Sequence, residues 1–118
     1  MNMENVNKVL VRKILLRTYN LLKSGWTQGT VARNVYGNPV SLSCENAVRF
    51  DLLGALMKSA TSTRSEIPSA APEYVRAFTH LKVALGHDSL TAFNNSKNTK
   101  HENVLNVVRA AMKLAAVS

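Results

Sequence analysis

The chain is poor in the residues that would staple it, break it or anchor it in a membrane. It has one cysteine, Cys44, so no intramolecular disulfide can form, and Cys-x-x-Cys metal motifs are excluded. An unpaired thiol suits a reducing cytoplasm, which is the expected compartment. No uninterrupted apolar run approaches the roughly 18 residues of a membrane span, and no signal-peptide core is present, so no membrane association is expected. Prolines number three and glycines five, too few for a low-complexity linker or a glycine-rich phosphate loop. Acidic residues number only seven and are scattered, so no pair of carboxylates is placed by spacing for acid and base catalysis.

The three histidines, His80, His87 and His101, form no His-Glu-x-x-His or comparable ligand pattern, and none is placed by spacing beside Cys44. No catalytic residue, metal or cofactor is therefore expected, and three solvated histidines are the plain reading. Cys44 is read as an incidental thiol, although a helix start there would favour its thiolate.

What is present is positive charge and helical periodicity. Fifteen Lys and Arg against seven Asp and Glu give a net charge of +8 and a pI near 10.1. A field of that sign favours polyanionic partners: nucleic acid first, an acidic protein surface second, anionic lipid third. The 118 residues fit one domain, and 46% hydrophobic content allows a core without staples.

Residues 5–24 have a helical pattern. Leu10, Val11, Ile14, Leu15, Leu21 and Leu22 share one arc, and Arg12, Lys13, Arg17 and Lys23 lie opposite, with Val9 and Leu16 among them. Gly25 closes this helix. The stretch "WTQGTVARNVYGNPVS", residues 26–41, then combines β-compatible residues with dense turn formers. It is read as one small β-hairpin over residues 26–42, with Trp26 anchoring it in the core and Gly37 or Asn38 at positive φ. It lacks the Gly-Lys-Ser/Thr ending of a Walker loop.

Ser43 is expected to cap a helix from Cys44 to about Ala60 that is apolar nearly all round and therefore central. Within it, Gly54 implies close approach by another element, and Asp51 needs a partner: Arg33, Arg49 or a backbone donor. Residues 61–72 have loop composition. Pro72 fits the first turn of a helix to Leu85 with Tyr74, Phe78, Leu81 and Leu85 on one face, stopped by Gly86. A helical turn capped by Asp88 carries Leu90 and Phe93. Thr99 and Glu102 have capping-box spacing before a last helix over residues 100–116, with Val104, Val107, Val108, Ala111, Met112 and Ala115 on one side and Asn106, Arg109 and Lys113 opposite. The fold class expected is α+β, predominantly α: about four main helices around a buried central helix, with one small hairpin.

The order of "GWTQGTVAR", "G-N-P-V", "FDLLGAL" and "SLTAFNN", followed by a last helix, resembles a family of small bacterial and phage proteins catalogued as a domain of unknown function. The resemblance covers roughly residues 10–113. It implies a bacterial or phage setting and supplies no activity. Family members often carry cysteine where Asp51 stands and Asn-Asp where Asn94-Asn95 stands.

The functional expectation is a non-enzymatic accessory protein. Its basic face, formed by Arg12, Lys13, Arg17, Lys23 and Arg33, binds a polyanion, most simply nucleic acid. No helix-turn-helix, zinc-finger or RNP signature is present, so base-specific reading is not expected. The alternative is a modulator that docks on an acidic protein, such as a phage inhibitor of a host or defence complex.

Overall fold

The computed structural model describes residues 6–64, 70–86 and 89–117. Among them are five helices, α1 (Lys8–Ser24), α2 (Leu52–Arg64), α3 (Ala71–Leu85), α4 (Leu90–Asn95) and α5 (His101–Val117), and two short strands, β1 (Ala32–Arg33) and β2 (Arg49–Phe50). The class is α+β and predominantly α, as the patterning requires.

Helix α1 packs against α2, α3 and α5, and it supplies Ile14, Leu15 and Leu22 to the fully buried core. Leu52, Ala55 and Leu56 of α2, Leu81 of α3 and Val104, Val108 and Ala111 of α5 close around that stripe. The apolar arcs read from α1 and α5 are therefore the ones buried, whereas α3 buries Glu73, Ala77, His80 and Leu81, and the expected Tyr74, Phe78 and Leu85 are only half-buried. Asn7 caps α1, its side chain accepting from Leu10 N at 3.2 Å. Its own N–H donates to Oε2 of the buried Glu73 at 2.7 Å, so α3 places a carboxylate at the positive end of α1. Helix α1 therefore starts at Lys8, with Val6 and Asn7 before it; residue 5 of the expected helix lies outside the described residues.

Four boundaries differ from expectation, each for a local reason. Helix α2 does not begin at Cys44. Ser43, Cys44 and Ala47 sit in turns, and the cap is Asp51, whose Oδ1 accepts from Gly54 N at 2.6 Å. Asp51 thus finds its partner in the first turn of its own helix. Residues 61–64 continue α2 and Ala71–Pro72 open α3, so the expected loop 61–72 is shorter at both ends, and residues 65–69 lie outside the described residues. Helix α4 is capped by Ser89, whose Oγ accepts from Ala92 N at 3.2 Å; Asp88 lies outside the described residues. Before α5 the reaching side chain is Asn103, which accepts from Lys100 N at 2.8 Å, while Glu102 pairs with Arg109 instead of Thr99.

The hairpin over residues 26–42 is also corrected. The chain does reverse at Asn34–Asn38, with Gly37 at φ +85°, and Arg33 bridges Pro39. Yet the strand paired with β1 is β2, with Ala32 opposite Phe50 and Arg33 opposite Arg49. Val40 N–H donates to Ala32 O on the other edge of β1. Phe50 donates to Gly25 O and accepts from Thr27 N on the outer edge of β2. Both backbone edges of this small sheet are thereby paired, which explains why two-residue strands persist.

Gly54 sits where α2 passes under this layer. A β-carbon there would overlap the Val31 carbonyl oxygen and lie 2.8 Å from Asp51 Oδ1. Val31 O cannot retreat freely, because it accepts from Asp51 N. Gly54→Ala gains about 1 kcal/mol of helix propensity, against an overpacking cost of about 1–3 kcal/mol or more at a rigid backbone contact. The expected outcome is a net loss of stability in chemical denaturation. An unchanged or raised midpoint would show that the layer yields.

Candidate functional site

The sequence segment most suggestive of a site, residues 26–29, is held by the end of α4. Asn94 is fully buried and uses its whole amide. Its Oδ1 accepts from Trp26 Nε1 at 2.7 Å and from Leu52 N at 3.0 Å. Its Nδ2 donates to Thr27 O at 3.1 Å and to Asn95 Oδ1 at 3.0 Å. Asn95 Oδ1 accepts in turn from Gly29 N at 2.9 Å. Gln28 Nε2 donates to Asn94 O at 2.8 Å and Ser96 O at 2.9 Å. The half-buried Trp26 stacks on His101, with ring centroids 5.7 Å apart and planes 17° apart. His101 Nε2 lies 2.6 Å from Leu22 O, so that nitrogen carries the proton and donates to the carbonyl.

Besides Thr27 O and Gly29 N of the loop, the backbone groups served here belong to helix ends: the first N–H of α2, a last-turn carbonyl of α1 and carbonyls at the end of α4. Helix ends leave such groups without partners, and burial makes an orphan costly. The Trp-x-Gln-Gly loop and Asn94–Asn95 therefore form a clamp that joins helix termini. Their polar atoms bond one another, which leaves little for catalysis or phosphate binding. An aspartate at position 95 would keep both acceptor bonds of Asn95 Oδ1.

A family model described as a family of unknown function (DUF6197) matches residues 7–114. The chain belongs to that family. No curated protein and no solved structure matched significantly. The segments on which the resemblance rests, Trp26–Gly29, the Gly54 region and Asn94–Asn95, are accounted for by packing and hydrogen bonding.

The five basic residues expected to form one patch fall into different environments. Arg12, Lys13 and Lys23 are exposed on α1. Arg17 donates to Oγ1 of the buried Thr63 at 2.7 Å, which ties α1 to α2. Arg33 lies in the loop layer and is committed to three acceptors: Thr27 Oγ1 at 2.7 Å, Gly37 O at 2.9 Å and Gln28 O at 3.0 Å. Arg33 therefore frames the loop layer, apart from the α1 ridge. At about 100° per residue, the centre of the outer α1 face is Val9, Leu16 and Asn20, flanked by Arg12 and Lys23 on one side and Lys13 on the other. Val9 is 62% exposed and Leu16 47%. The Arg12–Lys23 flank is continued by Arg109 of α5, which donates to Tyr19 Oη at 2.8 Å.

The histidines are not simply solvated. His101 belongs to the clamp, His80 is buried with no partner on Nε2, and His87 lies outside the described residues. Cys44 is half-buried in a turn and away from any helix start. Among the described residues no group of three or more His, Cys, Asp or Glu could hold a metal. A depression of about 280 Å³ lined by Met57, Ala60, Thr61, Arg64, Ala70, Ala71 and Tyr74 is mostly apolar and gathers no polar constellation. No described helix is long and apolar enough to cross a membrane.

Asn94→Ala leaves Trp26 Nε1, Leu52 N and Thr27 O without their partner. At about 1–3 kcal/mol for each orphaned group, several kcal/mol of stability should be lost, measurable by urea unfolding. Asn94→Asp keeps the two acceptor bonds but sets a carboxylate against Thr27 O and Asn95 Oδ1, so it should also destabilise. A near-neutral Asn94→Ala would remove the clamp from the account of the fold.

Burial, and secondarily the Arg76 charge, lower the His80 pKa below its ordinary 6.5. The folded state then resists the proton that the unfolded chain accepts, so stability falls as pH drops below about 6.5. Asp51 acts oppositely: burial raises its pKa above 3.8 despite the Gly54 N–H, so its protonation at lower pH favours the folded state. Melting temperature should fall between pH 7 and 5, and His80→Gln should flatten that decline. An identical slope in the variant would show that His80 titrates normally.

Proposed function

We propose that this protein is a non-enzymatic accessory protein that binds a polyanion, most simply nucleic acid, along the outer face of α1. The observation that carries this reading is the disposition of charge. Among the described residues Arg12, Lys13, Lys23 and Arg49 are exposed, whereas Asp51 and Glu73 are buried and Glu102 is paired with Arg109. Helix α1 is about 25 Å long and presents Arg12, Lys13 and Lys23 outward with no acidic residue of its own. A rod of that length can follow several phosphates, and counterion release then supplies the affinity. A bacterial or phage setting and a cytoplasmic location accompany this reading.

A second reading has its own support. Val9 and Leu16 form an apolar centre within the basic rim, the arrangement of a protein-docking face for an acidic partner. Under that reading the protein is a modulator of another protein.

Fluorescence anisotropy with labelled DNA and RNA across a salt series separates the two. Arg12→Glu, Lys13→Glu and Lys23→Glu together should abolish binding to every sequence tested, with an unchanged melting curve, because phosphate contacts carry no base code. Single reversals should each reduce the salt slope by about one. Arg17 is left intact because it bonds Thr63. Wild-type affinity weaker than about 100 μM near physiological salt would end the nucleic-acid reading and leave the acidic-protein one.

A further inference from the structure

The turn at Asn34–Asn38 is firmly built. Asn34 Oδ1 accepts from Tyr36 N and Asn38 N, each at 3.0 Å. Asn34 N–H donates to Asn38 O at 2.9 Å, and Gly37 N–H donates to Asn34 O at 3.0 Å. Gly37 takes φ +85°, a conformation glycine adopts without strain, and the Arg33 guanidinium grips Gly37 O. This frame carries large side chains outward: Tyr36 is 85% exposed and Val35 68%. The turn does not need them, since Asn34 and Gly37 supply its chemistry. A rigid turn presenting an aromatic loses little entropy when that ring is covered.

A second feature adjoins the turn. Arg33 and Arg49 stand directly opposite on the antiparallel strands, so their side chains leave the same face of the sheet. Like charges in that position repel, and among the described residues no carboxylate is bonded to either. Arg49 is exposed. An anion beside the pair relieves the repulsion, and a stacked base covers the ring.

We propose that this loop end contacts single-stranded nucleic acid, with Tyr36 stacking on an unpaired base and Arg49 engaging a neighbouring phosphate. The inference rests on the nucleic-acid reading above and gives it a preference for unpaired strands. Bases inside a duplex are stacked on each other and offer Tyr36 no face, whereas the α1 ridge meets phosphates of either form.

The test is fluorescence anisotropy with labelled oligothymidylate and a duplex of equal length, each across a salt series. The wild type should bind the single strand more tightly. Tyr36→Ala should lose about tenfold on the single strand, the size of one lost base stack, and leave duplex affinity and salt slope unchanged. Tyr36→Phe should retain wild-type affinity. Arg49→Gln should reduce the single-strand salt slope by about one. An oligonucleotide carrying a photoreactive uridine should crosslink to Tyr36. If Tyr36→Ala weakens both ligands equally or neither, while the α1 charge reversal abolishes binding, the stacking inference is overturned and the nucleic-acid reading stands. If the wild type binds neither strand form, both fall together. Tyr36 is exposed, so the variants should melt as the wild type does, and matching melting curves check it.

Discussion

The four hydrogen bonds of the buried Asn94 amide are the constraint on which the loop layer depends. Four groups converge on that side chain: the Trp26 indole, the Thr27 carbonyl, the first N–H of α2 and the Asn95 amide. In a low-dielectric interior each bond is stronger than in water, and each broken bond leaves a group that water cannot serve. The clamp thus fixes where α1 ends, where α2 starts and where α4 stops. It does so with neutral groups, avoiding the desolvation that a buried ion pair would cost.

Much of the fold was legible because its helices obey one period. The arcs of α1 and α5 follow from apolar spacing alone, and Gly25, Pro72 and Gly86 mark ends that the structure keeps. The misreadings lie where two equally good local signals compete. Ser43 and Asp51 are both strong cap residues, and Asp51 is selected because residues 49 and 50 are taken into the sheet. Thr99 with Glu102 has the right spacing, yet Asn103 reaches Lys100 and Arg109 draws Glu102 away. "VSLS" is as strand-like as "VRF", but only Val40 N–H bonds to β1, whereas Arg49 and Phe50 pair with it in register. The clamp was visible as a motif and invisible as an interaction, since its partners, apart from the adjacent Asn94 and Asn95, lie 42–79 residues apart. The donor-rich types in Trp-x-Gln-Gly and the amides of Asn94–Asn95 were the available signal.

For function, the clamp works by subtraction. The residues that look most like a motif are consumed in holding helix ends. Arg17 and Arg33, two of the basic residues grouped by sequence, are committed to hydrogen bonds within the fold. Arg12, Lys13, Lys23 and Arg49 are exposed, three on the α1 ridge and one on β2 beside the loop turn. Sequence grouped Arg33 with α1 by charge alone. The fold instead pairs it with Arg49 across the sheet, a neighbour that spacing could not reveal.

The ridge and the turn are not mechanically alike. The α1 ridge stands on a helix packed against three others, so its rigidity comes from the core. None of residues 34–38 in the turn is buried. Its support runs through Arg33 to Thr27 Oγ1 and the Gln28 carbonyl, and through the Gln28 amide to the end of α4. Thr27 is itself held by Asn94. The orientation of Tyr36 therefore depends on the same amide that joins the helix ends. A residue can be fully buried, touch no ligand and still set how an exposed aromatic is presented. That dependence gives Trp26–Gly29 and Asn94–Asn95 a physical reason to occur together in one chain, since the hydrogen bonds of each half end on the other.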